Sequence, residues 1–94
     1  MSLSDIATRI NRALETRPFE GSLKFDCAGD GVLVLADGQA VLTDQPTDCT
    51  IAISEENLVK LLTGKLNPMT GIMMGKLKVS GNPAVAMRLA KLIG

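Results

Sequence analysis

Ser54 to Gly81 reads SEENLVKLLTGKLNPMTGIMMGKLKVSG, and three elements follow one another in it with almost no linker. Ser54 is a helix N-cap, with Glu55 and Glu56 in the first turn, where the helix dipole favours negative charge. The spacing predicts a helix through Leu62 that Gly64 stops. Asn67-Pro68 supplies a second cap and a proline at the first helical position, so Met69 to Met74 form a short helix ending at Gly75. From Lys76 the period changes to two: Leu77 and Val79 alternate with Lys76, Lys78 and Ser80, which predicts a strand from Lys76 to Ser80. Two short helices rich in Met and Leu that run straight into a strand must fold back over a sheet. Flexible, polarizable methionines there suit a pocket for varied apolar partners as well as plain core packing.

On the N-terminal side, Leu3, Ile6, Ile10, Ala13 and Leu14 define one apolar face of a helix capped by Ser2 or Ser4, and Arg17-Pro18 ends it. Leu23, Phe25 and Cys27 alternate with polar neighbours in a first strand, and Gly29-Asp30-Gly31 turns the chain. Val32 to Ala36 is a second strand, joined through Asp37-Gly38, the strongest hairpin signal present, to a third at Gln39 to Thr43. After the polar loop 44–47, Asp48 to Ile53 is a fourth strand. The first three strands make a meander, and the fifth returns after a helical crossover. Beyond it, Asn82 caps and Pro83 opens a last helix in which only Arg88 and Lys91 are polar, so a broad face of it is expected to be buried or to meet a partner.

The residues also carry a resemblance. Asp48-Cys49-Thr50-Ile51, then Leu62-Thr63-Gly64-Lys65-Leu66-Asn67-Pro68, then Gly75-Lys76-Leu77-Lys78-Val79-Ser80-Gly81-Asn82, then Ala86-Met87, resemble the sterol carrier protein 2 (nonspecific lipid-transfer) family from about Asp48 to Leu92. The resemblance implies an α+β domain: a five-stranded, mostly antiparallel sheet covered by helices, with an apolar tunnel between the layers for a fatty acid, acyl-CoA, sterol or isoprenoid chain. It implies no catalysis and no cofactor. At matching positions, guided by apolar periodicity, Leu58, Leu62, Leu66, Met69, Ile72, Met73 and Met74 are expected to line the cavity, with Met87 facing them from the last helix. Lys65 and Lys76 are the candidates for the headgroup. Ile72, Met73 and Met74 stand where members of that family often carry aromatic or polar side chains, which favours a long aliphatic or isoprenoid chain over a ligand whose hydroxyl needs a partner.

Composition narrows the alternatives. A chain of 94 residues is one domain, residues 1–94, and buries only about 60 to 70% of its surface on folding. With no His, the usual general base and the His-containing catalytic and metal arrangements drop out. Two phenylalanines as the only aromatics do not make a stacking platform, so nucleic acid is not an expected partner.

Net charge is zero but polarised: Glu20 to Glu56 holds eight acids and one base, whereas Asn57 to Gly94 holds six bases and no acid. A segment both basic and apolar points to an anionic partner, such as a lipid carboxylate, phosphate or transient contact with an anionic membrane surface.

Cys27 and Cys49 match no metal spacing and read as buried free thiols, in keeping with a reducing compartment; the strand order that the resemblance implies would make their two strands neighbours, which leaves a bridge between them open. No targeting segment and no peroxisomal SKL-type ending is visible, so a cytoplasmic location is expected. Gly64-Lys65 and Gly75-Lys76 lack the Ser or Thr and the spacing of a phosphate loop, and Gly71 with Gly75 is read as allowing close packing of the short helix. Asp26, Asp30, Asp37, Asp44 and Asp48 read as turn formers and solubilising charge. The rival to a lipid carrier is an interaction module: a homodimer, or an accessory subunit for a lipid-metabolic enzyme.

Overall fold

The computed structural model describes residues 2–93, with side chains described for residues 2–89. Helix α1 (Leu3–Leu14) opens with a capping box in which the Ser2 side chain accepts from the Asp5 amide and the Asp5 carboxylate accepts from the Ser2 amide. It ends at Leu14, three residues short of Arg17, where the Thr16 amide turns back to the Ala13 carbonyl in a tighter i→i−3 bond and shares that carbonyl with the Arg17 amide. The proline restriction at Arg17 fixes the last residue a helix could reach, not the one it does reach.

Strands β1 (Leu23–Asp26), β2 (Val32–Ala36) and β3 (Gln39–Val41) form the meander. At its tip Asp37 and Gly38 both adopt positive φ, 54° and 76°, as a two-residue hairpin turn requires. Cys27 leaves the strand: its amide bonds the Gly31 carbonyl around a 3-10 turn, Ala28–Asp30. β4 (Cys49–Ile53) runs parallel to β1, and β5 (Leu77–Gly81) pairs antiparallel with β4, so the order is β3-β2-β1-β4-β5. The sheet is therefore mixed, with one parallel seam between β1 and β4.

The ends of the strands have local causes. β5 starts one residue later than the alternation predicts because the Lys76 amide is committed to the Gly71 carbonyl, and it extends to Gly81 opposite Cys49. β4 starts at Cys49 because Asp48 is occupied elsewhere. The Asp48 amide donates to Ser22 Oγ at 2.7 Å, its carboxylate accepts from the Ser22 amide, and its carbonyl accepts from the Asn82 amide. Read in sequence as a solubilising charge, Asp48 instead ties together the entries of β1 and β4 and the exit of β5.

Helices α2 (Glu55–Leu62) and α3 (Pro68–Met73) end in the same way. After α2, the Lys65 and Gly64 amides bond the Lys60 and Leu61 carbonyls; after α3, the Lys76 and Gly75 amides bond the Gly71 and Ile72 carbonyls. Both are Schellman turns with glycine at positive φ, 80° at Gly64 and 73° at Gly75. The two Gly-Lys pairs are thus helix terminators. Of the two glycines read as packing residues, Gly71 fills that role, since a Cβ there would sit 2.9 Å from Leu77 Cδ2, while Gly75 faces open space. Helix α4 (Pro83–Ile93) begins with the Ala84 amide on Asn82 Oδ1 and packs over β4 and β5, as α1 packs over β2 and β3. The apolar side chains expected from Ala90 onward lie outside the described residues.

One face of the sheet carries the core. Leu23, Phe25, Leu33, Leu35, Cys49, Ile51, Ile53 and Leu77 meet Ile6 and Ile10 of α1, Leu58 and Leu61 of α2, and Val85 and Leu89 of α4. Among the described residues every buried side chain is apolar. On the opposite face Lys24, level with Val34 in the ladder, pairs with Asp44 at 2.6 Å. At the margin, β3 has no strand beyond it. There the Asn11 amide of α1 stands in for one, donating to the Ala40 carbonyl at 3.0 Å and accepting from the Ala40 amide at 2.7 Å.

Candidate functional site

The eight residues expected to line a cavity divide into two groups. Leu58 and Leu66 are buried in the core and Leu62 is half-buried against it. Met69, Ile72, Met73, Met74 and Met87 are exposed, Met73 by 84%. The cause lies in α3. Its sheet-facing side is Gly71, wedged against Leu77, with Leu66 beside it. Residues three and four apart share a helix face, so Met69, Ile72 and Met73 project together on the side away from that contact. Apolar periodicity locates this face but does not say which way it turns.

Of the two headgroup candidates, Lys65 and Lys76 follow the glycines of the two Schellman turns, and both are exposed. Lys65 also borders an open surface groove of about 530 Å³ with Glu55, Glu56, Val59, Lys60 and Thr63. This groove runs along the outer side of α2, is edged by charge, and includes a Lys60–Glu56 ion pair at 3.5 Å. It touches none of the eight apolar candidates.

The thiols offer no nucleophile at neutral pH. Burial, reinforced by Glu55, Asp30 and Asp26, pushes the Cys27 thiol from an ordinary 9.0 up to about 11, and burial also raises Cys49. Their strands are indeed neighbours, but the register aligns Cys49 with Leu23, at the far end of β1 from Cys27. Four strand positions separate the two levels by about 13 Å, far beyond the reach of a disulfide.

A thiol held protonated in the folded state contributes stability that is present below pH 9 and lost as pH rises toward 11. Urea midpoints measured from pH 8 to 11 are expected to fall less steeply for Cys27→Ala than for the unsubstituted protein. Parallel slopes would place the Cys27 thiol in water.

Among the described residues no group of three metal-ligating side chains converges, and no helix is long and apolar enough to cross a membrane. The Ser22–Asp48 and Asn11–Ala40 brackets were not visible in sequence. Their partners lie 26 and 29 residues apart, and no local pattern announces them.

A small mixed sheet whose main hydrophobic cluster lies on one face, under four helices, defines a class of two-layer α+β domain. Residues 5–94 match the model of the SCP-2 sterol transfer family, and the chain belongs to that family. It is 49% identical over 53 residues, 56% of this chain, to sterol carrier protein 2 of Gallus gallus. Over 98% of this chain it is 34% identical to hydroxysteroid dehydrogenase-like protein 2 of Rattus norvegicus. The matched stretches cover 10% and 18% of those two proteins, so this chain spans a small part of each. The fold is shared with a solution structure of sterol carrier protein 2 from Aedes aegypti in complex with palmitate, with a TM-score of 0.80, 20% identity, and coverage of 96% of this chain and 92% of that one. A crystal structure of sterol carrier protein 2 like 2 from the same organism gives 0.79, 20%, 99% and 97%.

Proposed function

We propose that this chain is a non-catalytic lipid-binding module that takes a long apolar chain between its helical layer and its sheet. The observation that carries the reading is family membership over residues 5–94, on a fold that a palmitate complex shares almost end to end. In this reading Leu58, Leu62 and Leu66 form the inner wall, and α3, seated on β5 through Gly71, is the part that gives way. Met69, Ile72, Met73, Met74 and Met87 close around the ligand at the mouth. Lys65 and Lys76 are the cations for a carboxylate or phosphate.

The ligand class follows from the core. Among the described residues no polar side chain is buried, so an inserted hydroxyl would find no side-chain partner, which favours a fatty acyl or isoprenoid chain. Each buried methylene contributes about 0.8 kcal/mol, and after the entropy of association a long chain binds in the micromolar range. The far greater length of the curated relatives fits a module that presents lipid to catalytic domains elsewhere, and two unbridged buried thiols fit a reducing cytoplasm.

Native mass spectrometry followed by palmitate titration tests this. Palmitate at a hundred times its Kd is expected to stabilise the fold by about 2.7 kcal/mol. Met73→Asp, at an exposed position, is expected to keep the melting temperature and lose uptake. A protein that takes up no fatty acid, prenyl lipid or sterol would overturn the carrier reading; an unchanged titration with Met73→Asp would remove Met73 from the mouth.

A further inference from the structure

We propose that the outer edge of β5 is a strand-addition site for an extended acidic peptide. β5 is the last strand in the sheet order, and only β4 pairs with it. The Asn82 amide donates to the Asp48 carbonyl, and this bond sets the phase of the ladder. Opposed residues of an antiparallel pair alternate between hydrogen-bonded and non-bonded. Asn82 with Asp48 is bonded, so Ser80 with Thr50 and Lys78 with Ala52 are bonded too, and Val79 with Ile51 is not. The main-chain groups of Lys78 and Ser80 therefore point into the sheet, while the amide and carbonyl of Val79 point out of its edge. Among the described residues no hydrogen bond outside the ladder reaches Leu77, Val79 or Gly81. The opposite margin is treated differently: the amide and carbonyl of Ala40 on β3 are taken by Asn11, whereas Val79, in the middle of a strand five residues long, has no such substitute. A row of donors and acceptors at strand spacing is matched by another extended main chain, which makes the occupant a polypeptide.

Charge narrows its sequence. Leu77 and Val79 pack toward the core, so Lys78 stands on the other face of the sheet, level with Ala52 and then Asp26. Two strand spacings put Asp26 about 10 Å away. Lys78 forms no ion pair among the described residues, and its remaining neighbour position is the one an added strand would fill. Cross-strand neighbours of opposite charge attract, so that position selects Asp or Glu. The elements packed on β5 supply no competing acid: β4 and α3 carry no charged residue, and the charged residues of α4 are Arg88 and Lys91. On the core side the added strand runs beside the half-buried Val79, so apolar residues suit the alternate positions.

The site is separate from the residues assigned to lipid uptake and is measured without lipid. The probe is a capped heptapeptide alternating valine and glutamate, compared with one alternating valine and lysine. Two further copies of the glutamate peptide are N-methylated, one at every valine and one at every glutamate. Binding and amide exchange are followed by NMR on the full chain. In the free protein the Val79 amide is expected to exchange quickly and those of Lys78 and Ser80 slowly. The glutamate peptide at about ten times its Kd is expected to slow Val79 about tenfold. Only alternate amides of an added strand face its neighbour, so one methylated copy is expected to lose binding and the other to keep it. Lys78→Glu is expected to bind the glutamate peptide about tenfold more weakly, since attraction across the pair becomes repulsion, and to prefer the lysine peptide. Its palmitate titration is expected to match that of the unsubstituted protein.

A Val79 amide already protected in the free chain would overturn the proposal, and so would a glutamate peptide that does not bind. Methylated copies that behave alike, or shifts centred on the α2 groove, would reduce the binding to charge alone and overturn strand addition. Equal binding of the lysine and glutamate peptides would overturn the acidic occupant, as would a dimer in which a second copy protects Val79.

Discussion

Gly81→Ala is expected to destabilise the fold by about 3 kcal/mol, combining left-handed backbone strain with a steric conflict. Gly81 has φ of 88°, and a Cβ there would lie 2.5 Å from the Asp48 carbonyl oxygen and 3.1 Å from Cys49 Cα. Both are main-chain atoms at the start of β4, so no side chain can rotate out of the way. The Asp48 carbonyl also cannot retreat without loosening its bond from the Asn82 amide. For a domain of this size such a loss lowers the melting temperature by roughly 12 to 24 °C. Gly64→Ala is the control: φ is 80° but nothing lies within 4 Å of the new Cβ, so only the strain, about 1 kcal/mol, remains. Thermal melts that drop equally for the two variants would show that the strands separate at no cost and that the close approach is unimportant.

The second large effect is at Asn11. Asn11→Ala removes both partners of Ala40 at once, leaving a partly buried amide and carbonyl on an edge strand with no ladder beyond. Stranding such groups costs about 1 to 3 kcal/mol each when fully buried, and partial access to water reduces the pair to about 2 kcal/mol in all. The urea midpoint is expected to fall at an unchanged slope, and the Ala40 amide to exchange with solvent far faster than before. An Ala40 amide still protected in the variant would mean that something other than Asn11 holds it. Asn11→Asp keeps the acceptor and loses the donor, so it is expected to fall between the two.

What could be read from the sequence was what neighbours in the chain decide. Ser54, Asn67-Pro68, Gly64 and Gly75 place α2 and α3 because each acts within one helical turn, and Asp37-Gly38 places the hairpin because both residues tolerate positive φ. The family was legible for the same reason, since its turns and caps occur in order from Asp48 onward. What could not be read depends on distant partners. The parallel register of β1 and β4 sets Cys27 and Cys49 at opposite ends, and no alternation within either strand specifies it. Asp48 has the composition of a loop residue and acquires its bracket only when Ser22 and Asn82 are brought to it. The same limit applies to α3. Its apolar face was plain, but Gly71, the smallest residue of the helix, sits against the sheet, and that turns the large side chains outward.

The sheet has two free margins, and they are guarded by different means. β3 is three residues long, and its outward amide and carbonyl at Ala40 are already taken by the protein's own first helix. β5 is longer, but it carries an exposed lysine, Lys78, and has another just before it, Lys76, so a second copy laid alongside would set like charges together. Polymerisation through strand addition is thereby discouraged at both margins. A chain that exposes methionines on α3, at its C-cap Met74 and at Met87 of α4 can then stay dispersed, since these side chains stand on helices and a helix end and do not template a growing sheet.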